Sequence, residues 1–151
     1  MFNTSFRFIS LAIAGASLTS VHVQAAQNLS SMMVEIRQQD GIPSYYNLAT
    51  GMPLNGDIAI VRDNQGYTLG QFSEGIPNGK WQVFHTNNSK LVEGNYQQGY
   101  QDGTWHMFDL SGAVTEEQQF AKGVPTGEWK EYNSSGHLSQ TTRYKAGKKE
   151  Q

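Results

Sequence analysis

No cysteine occurs anywhere in the 151 residues. Disulfide staples are therefore excluded, as is a lipid anchor on a terminal thiol, and stability has to come from packing and backbone hydrogen bonds. Long apolar runs are equally scarce. The one such stretch, Phe8 to Val21, follows Arg7, contains neither lysine nor acid, and is interrupted by Ser10, Ser17, Thr19 and Ser20. A spanning helix wants about 20 mainly apolar residues, so this run reads as the apolar region of a signal peptide. Val23-Gln24-Ala25 supplies small residues for cleavage near Ala25. Residues 1–25 are thus expected to be removed and the protein to be periplasmic or secreted. Integral membrane association is not expected.

Excess positive charge is missing too. Loss of Arg7 from the 11 basic side chains leaves 10 against 13 acidic ones, a net charge near −3. Such a surface has no electrostatic pull toward nucleic acid or an anionic membrane. Helical periodicity is absent beyond the leader.

What the sequence does have is a repeat. Phe72, Tyr96, Phe120 and Tyr144 stand 24 apart. Gly75, Gly99, Gly123 and Gly147 keep the same interval, as do Gly79, Gly103 and Gly127, the tryptophans Trp81, Trp105 and Trp129, and the rings Phe84, Phe108 and Tyr132. Five columns in one ungapped register mark a repeat architecture. A worn copy precedes them: Gly51 to Gly56 parallels Gly75 to Gly79, with Ile58 and Val61 where Trp81 and Phe84 stand. The organisation expected is a leader at 1–25, an N-terminal hairpin or cap at 26–50, and a repeat domain at 51–151 with units near 51–74, 75–98, 99–122 and 123–147.

Each unit reads as a hairpin: a strand through Trp and Phe, a polar turn such as Ser111-Gly112, and a return strand ending on an aromatic. Asn78-Gly79 and Asp102-Gly103 are expected to form the tight links between units, because these pairs tolerate positive φ. Alternation places Trp105 and Met107 on one side of the strand and His106 and Phe108 on the other; in the return strand it groups Leu138 with Gln140, Thr142 and Tyr144. The fold class is all-β, an elongated single-layer antiparallel meander. The stretch from Val34 to Leu48 is expected to form a leading hairpin about Asp40-Gly41.

The pattern Gly-x3-Gly-x-Trp-x2-[Phe/Tyr], followed by a polar turn and an aromatic strand end, resembles the MORN-repeat variant. That repeat occurs in many bacterial proteins, among them a group labelled antitoxin components of toxin–antitoxin systems. The lead-in Arg37 to Ile42, Tyr45-Tyr46 and Gly51 to Gly56 is similar to the start of that group, with Leu54-Asn55 in place of its aromatic–Thr pair. The resemblance covers residues 34 to 149. It implies a scaffold, and fold alone does not assign a function.

Chemistry-bearing motifs fall away one by one. Gly75 to Trp81 has three residues between its glycines and Trp after Lys80, so it is a turn and not a phosphate loop. His85, His106 and His137 occupy three different columns, unlike converging metal ligands. Asp63 to Gly66 lacks the later acidic ligand of a calcium loop. Glu116 and Glu117 point to opposite faces, and no Gly-x-Ser-x-Gly elbow occurs. The expectation is no enzyme, no cofactor and no metal.

A binding scaffold keeps its glycines and core rings and varies where it reads a partner. Gln82, His106 and Lys130 form one varying column; His85, Asp109 and Asn133 form another. With Phe84, Phe108 and Tyr132 beside it, the first column is the expected protein-binding site. The partner would be a toxin or effector in the envelope. The alternative is a glycan- or lipid-binding module with equivalent sites on the same three rings.

Overall fold

The computed structural model describes residues 27–150; the expected leader lies outside them. Twelve strands and one 3-10 turn are formed: β1 (Gln27–Ser30), β2 (Val34–Gln39), β3 (Ile42–Asn47), β4 (Gly56–Arg62), β5 (Gly66–Ser73), β6 (Ile76–Phe84), β7 (Lys90–Gln97), β8 (Tyr100–Phe108), β9 (Val114–Ala121), β10 (Val124–Tyr132), β11 (Leu138–Lys145) and β12 (Lys148–Lys149). Ten of them make one sheet in the order β1-β4-β5-β6-β7-β8-β9-β10-β11-β12, and β2 and β3 pair separately. From β4 onward each strand pairs antiparallel with the next, which is the meander expected of tandem hairpins. One pairing departs from the antiparallel expectation: β1 lies parallel to β4 at the edge of the sheet, with Gln27 opposite Ile58. No helix among the described residues is long and apolar enough to cross a membrane.

The links between units are not the Asn-Gly and Asp-Gly pairs. They are Glu74-Gly75, Gln98-Gly99, Lys122-Gly123 and Ala146-Gly147, each with φ positive at both residues (Gln98 at 50°, Gly99 at 84°). Two consecutive positive φ values match the right-handed twist of the flanking strands, and only the second position is reserved for glycine. Gly79, Gly103 and Gly127 lie inside β6, β8 and β10, where the pairing with the preceding strand slips. The preceding Asn or Asp also has a specific task. Asn55, Asn78 and Asp102 accept hydrogen bonds from the backbone N–H of Glu74, Gln98 and Lys122, at 2.8, 3.2 and 3.2 Å. Each side chain thus steadies the left-handed residue of the next link. Backbone joins the units as well: the N–H of Gly99, Gly123 and Gly147 donates to the carbonyl of Pro77, Gln101 and Pro125 at 2.8, 2.8 and 3.0 Å.

One face of the sheet is the core face. Trp81 and Trp105 lie flat across Gly70 and Gly94 of the preceding strands. A Cβ on Gly70 would come within 2.6 Å of the Trp81 ring, and one on Gly94 would overlap Trp105. The rings interleave with the strand-end aromatics: Phe72 to Trp81 at 5.7 Å, Trp81 to Tyr96 at 5.2 Å, Tyr96 to Trp105 at 5.0 Å, all edge-on. Such pairs contribute about 0.5–1.5 kcal/mol each beyond area burial. Burial also pushes the Tyr96 hydroxyl above its usual range.

The β2–β3 hairpin, turning at Asp40-Gly41, packs on this face and doubles the layer over the first units. Tyr45 meets Phe72 at 5.1 Å and Trp81 at 6.2 Å, and the cluster of Leu54, Ile58, Ile60 and Phe72 lies beneath with Leu29 and Val34. Beyond this end the molecule is a single layer. Phe120, Trp129 and Tyr144 continue the ladder there without becoming fully buried.

Candidate functional site

Strand pairing brings the first varying column together. Gln82 stands opposite Glu93, Glu93 opposite His106, His106 opposite Glu117, and Glu117 opposite Lys130. Residues directly opposite in adjacent strands share a face, so these five side chains form one row across five strands, on the face away from the tryptophans. The sequence column supplied alternate members only. Glu93 and Glu117 come from the return strands, and the strand slips hide them: a register counted outward from the two-residue links sets Glu93 opposite Thr104 and Glu117 opposite Glu128, two residues short of their partners.

Charge along the row is locally matched. Lys90 approaches Glu93 at 2.6 Å, and Gln82 donates to the same carboxylate at 3.4 Å. The Lys90 hydrogen bond holds the Glu93 carboxyl below the usual range. A depressed carboxyl stabilises the fold above the ordinary carboxylate range, and that contribution fades as pH falls through the lowered value. Its size is small because both groups are about one third exposed. Lys130 stands 3.7 Å from Glu117.

The three candidate rings lie one step further along the strands, each in a different setting. Phe84 stacks on Tyr67 at 4.8 Å and 12°. Phe108 has Lys90 5.6 Å above it and the His106 ring 6.2 Å away. Tyr132 pairs with Leu138.

This last pairing corrects the alternation. Between Glu131 and Tyr132 the register shifts, so that Gln140 faces Glu131 while Leu138 faces Tyr132, with Ser139 as the extra residue. A bulge moves every side chain beyond it to the other face, and Leu138 therefore joins Tyr132 and not Gln140. Shifts at the same place leave Leu91 and Thr115 as the extra residues of the earlier units.

The second varying column is taken up by turns. Asp109 accepts from the Ser111 hydroxyl at 2.6 Å and from the N–H groups of Ser111 and Ala113 at 2.8 and 3.0 Å, and these bonds keep its carboxyl below its ordinary value. Asn133 accepts from Ser135 and His137, both at 3.0 Å. His85, in the same column, accepts from the Asn88 N–H through its backbone carbonyl.

Glu116 and Glu117 do lie on opposite faces, facing Met107 and His106 respectively. Among the described residues no three His, Asp or Glu side chains gather as a metal site.

The repeat columns have structural positions throughout: Gly75, Gly99 and Gly123 in the links, Gly79, Gly103 and Gly127 at the strand slips, Trp81, Trp105 and Trp129 on the core face. The chain matches none of the curated proteins compared with it. Two of its segments, residues 77–98 and 125–146, match the MORN repeat variant.

Proposed function

We propose that this protein is an exported, non-enzymatic scaffold that holds a partner protein on the face carrying Gln82, His106 and Lys130. The observation that carries the reading is the row Gln82-Glu93-His106-Glu117-Lys130 with the partly exposed rings of Phe84, Phe108 and Tyr132 beside it. MORN repeats in general serve as scaffolds for protein or membrane. The row is polar, ordered by its cross-strand pairs, and its members Gln82, His106 and Lys130 differ from unit to unit, which suits recognition of one specific surface. Rings act as anchors and the polar groups set specificity and on-rate. Following the resemblance to antitoxin components, the partner is a toxin or effector that acts in the envelope. The glycan- or lipid-binding alternative needs equivalent sites, and Phe84, Phe108 and Tyr132 have unlike neighbours: an aromatic ring, a lysine and a leucine.

The test is affinity capture from envelope extract with the partner identified by mass spectrometry. His106→Ala and Lys130→Ala, both folded by circular dichroism, are expected to lower the affinity at least about tenfold, the effect of losing about 1.4 kcal/mol. Unchanged capture by both variants overturns the assignment of the face. N-terminal sequencing of the envelope pool is expected to start at Ala26; full-length chain confined to the cytoplasm overturns export.

A further inference from the structure

The two faces of the sheet end differently. On the core face, the row Val83-Val92-Met107 continues as Glu116-Glu131-Gln140. The row beside it also changes: Gly70 and Gly94, which give Trp81 and Trp105 room, are followed in the same column by Gln118. Polar residues thus replace the repeat's own small and apolar ones within one patch, where the leading hairpin no longer covers the face.

That patch is concave. A groove of about 250 Å³ is lined by Trp129 and Tyr144 together with Glu116, Gln118, Glu131 and Gln140. The two rings meet at a centroid distance of 4.6 Å and 43°, forming a corner. The Trp129 N–H is already committed to the Gln119 carbonyl at 3.0 Å, so what the indole offers to a visitor is its face. Around the rings stand two amide–carboxylate couples, Gln118 donating to Glu116 at 2.9 Å and Gln140 donating to Glu131 at 3.0 Å. Each couple leaves carboxylate lone pairs and an amide oxygen without a partner from within the couple.

A solvated end cap explains polarity, and terminal repeats do carry polar outer faces. It does not explain the arrangement. Glu116 stands directly opposite Glu131, and like charges in that relation destabilise a sheet. Neither carboxylate is in a salt bridge among the described residues. An end cap with no ligand is better served by the opposite-charge pairing that Glu128 and Arg143 make on the other face at 2.9 Å.

We propose that this groove is a carbohydrate site, centred on the core face and reaching the proposed protein-binding row only at Glu117 and Lys130. The chemistry is complementary at each point. The C–H face of a pyranose lies on the aromatic corner, and its hydroxyls donate to Glu116 and Glu131 in charge-assisted hydrogen bonds and to the amide oxygens of Gln118 and Gln140. Apolar surface joined to a few convergent polar groups is the general make-up of small-ligand sites, whose volumes begin near 300 Å³; a groove of this size takes about one sugar ring, with the rest of an oligosaccharide leaving through its open side. A purely apolar ligand would leave the two carboxylates desolvated and unpaired, which is costly.

Tryptophan fluorescence and titration calorimetry with cellohexaose and with chitohexaose test the site. Wild type is expected to bind at least one of them saturably. The triple variant Glu116→Val, Glu131→Met, Gln140→Val returns each position to the residue of an earlier repeat; it is expected to keep or raise the melting temperature and to weaken sugar binding at least tenfold. Should it fail to fold, Gln140→Ala alone, on an exposed strand, is expected to weaken binding about threefold or more. His106→Ala, in the polar row but not among the residues lining the groove, is expected to leave sugar affinity within twofold while weakening partner capture, so the two sites are read apart. Absence of binding to either sugar, binding that survives the reversions, or binding lost on His106→Ala each overturns the proposal.

Discussion

Trp105→Ala is expected to lower the unfolding free energy by about 3–5 kcal/mol, the range for removing a large buried aromatic. Trp105 is 3% exposed, less than any other ring in the repeats, and its face rests on Gly94 with Tyr96 edge-on against it. Its indole N–H has no hydrogen-bond partner among the described residues. The whole loss is therefore one of packing, with no orphaned acceptor left behind. Trp129→Ala is expected to cost less, because that ring is only partly buried and has one further hairpin beyond it. Urea melts followed by circular dichroism separate the two; equal costs along the three tryptophans would argue against a structure in which each unit depends on its neighbours.

Gly94→Ala is expected to cost about 3 kcal/mol, the upper part of the usual overpacking range. The added carbon has nowhere to go: the Trp105 ring occupies its place, and that ring is pinned by its own burial. Gly103→Ala is the instructive comparison. Nothing lies within 4 Å of its Cβ position, and the cost there comes from a φ of 76°, about 1–2 kcal/mol. One glycine is kept for room and the other for its backbone angle. The pair Gly94→Ala, Trp105→Ala is expected to be less destabilising than the sum of its parts, since the new methyl enters the space the ring has vacated. A Gly94→Ala melt no worse than that of Gly103→Ala would refute the stacking of Trp105 on the backbone.

The roles of these two glycines also show where the sequence is legible. Gly103 belongs to a column held in all three units, so its 24-residue spacing is visible without a structure. Gly94 belongs to a column that reads Gly70, Gly94, Gln118, Thr142, and its significance depends on the ring lying across it from the next strand. The hairpins, the tryptophan face and the membership of Gln82, His106 and Lys130 in one row all follow from spacing and alternation. The positions of Glu93, Glu117 and Leu138 do not, because alternation along one strand is blind to an extra residue in it. Ser139 is such a residue, and it transfers Leu138 from the company of Gln140 to that of Tyr132. The Asn-Gly and Asp-Gly pairs misled for a related reason: their chemistry suits a positive φ, but the Asn and Asp side chains serve the link of the following unit, 20 residues away.

The backbone bonds from Gly99, Gly123 and Gly147 to Pro77, Gln101 and Pro125 carry a consequence for length. By these bonds each link is secured to the hairpin just before it, and none of them refers to a closed ring or a fixed total. The protein is in this respect a ruler. A further 24-residue unit inserted after Lys122 would find the Gln101 carbonyl waiting for it, Lys122 keeping its own bond to Asp102, and would offer an equivalent carbonyl to the unit behind. Two strands at a spacing of about 4.8 Å would lengthen the molecule by about 10 Å. The polar row would grow by the same increment, so its length is set by unit number, independently of how any one unit is built.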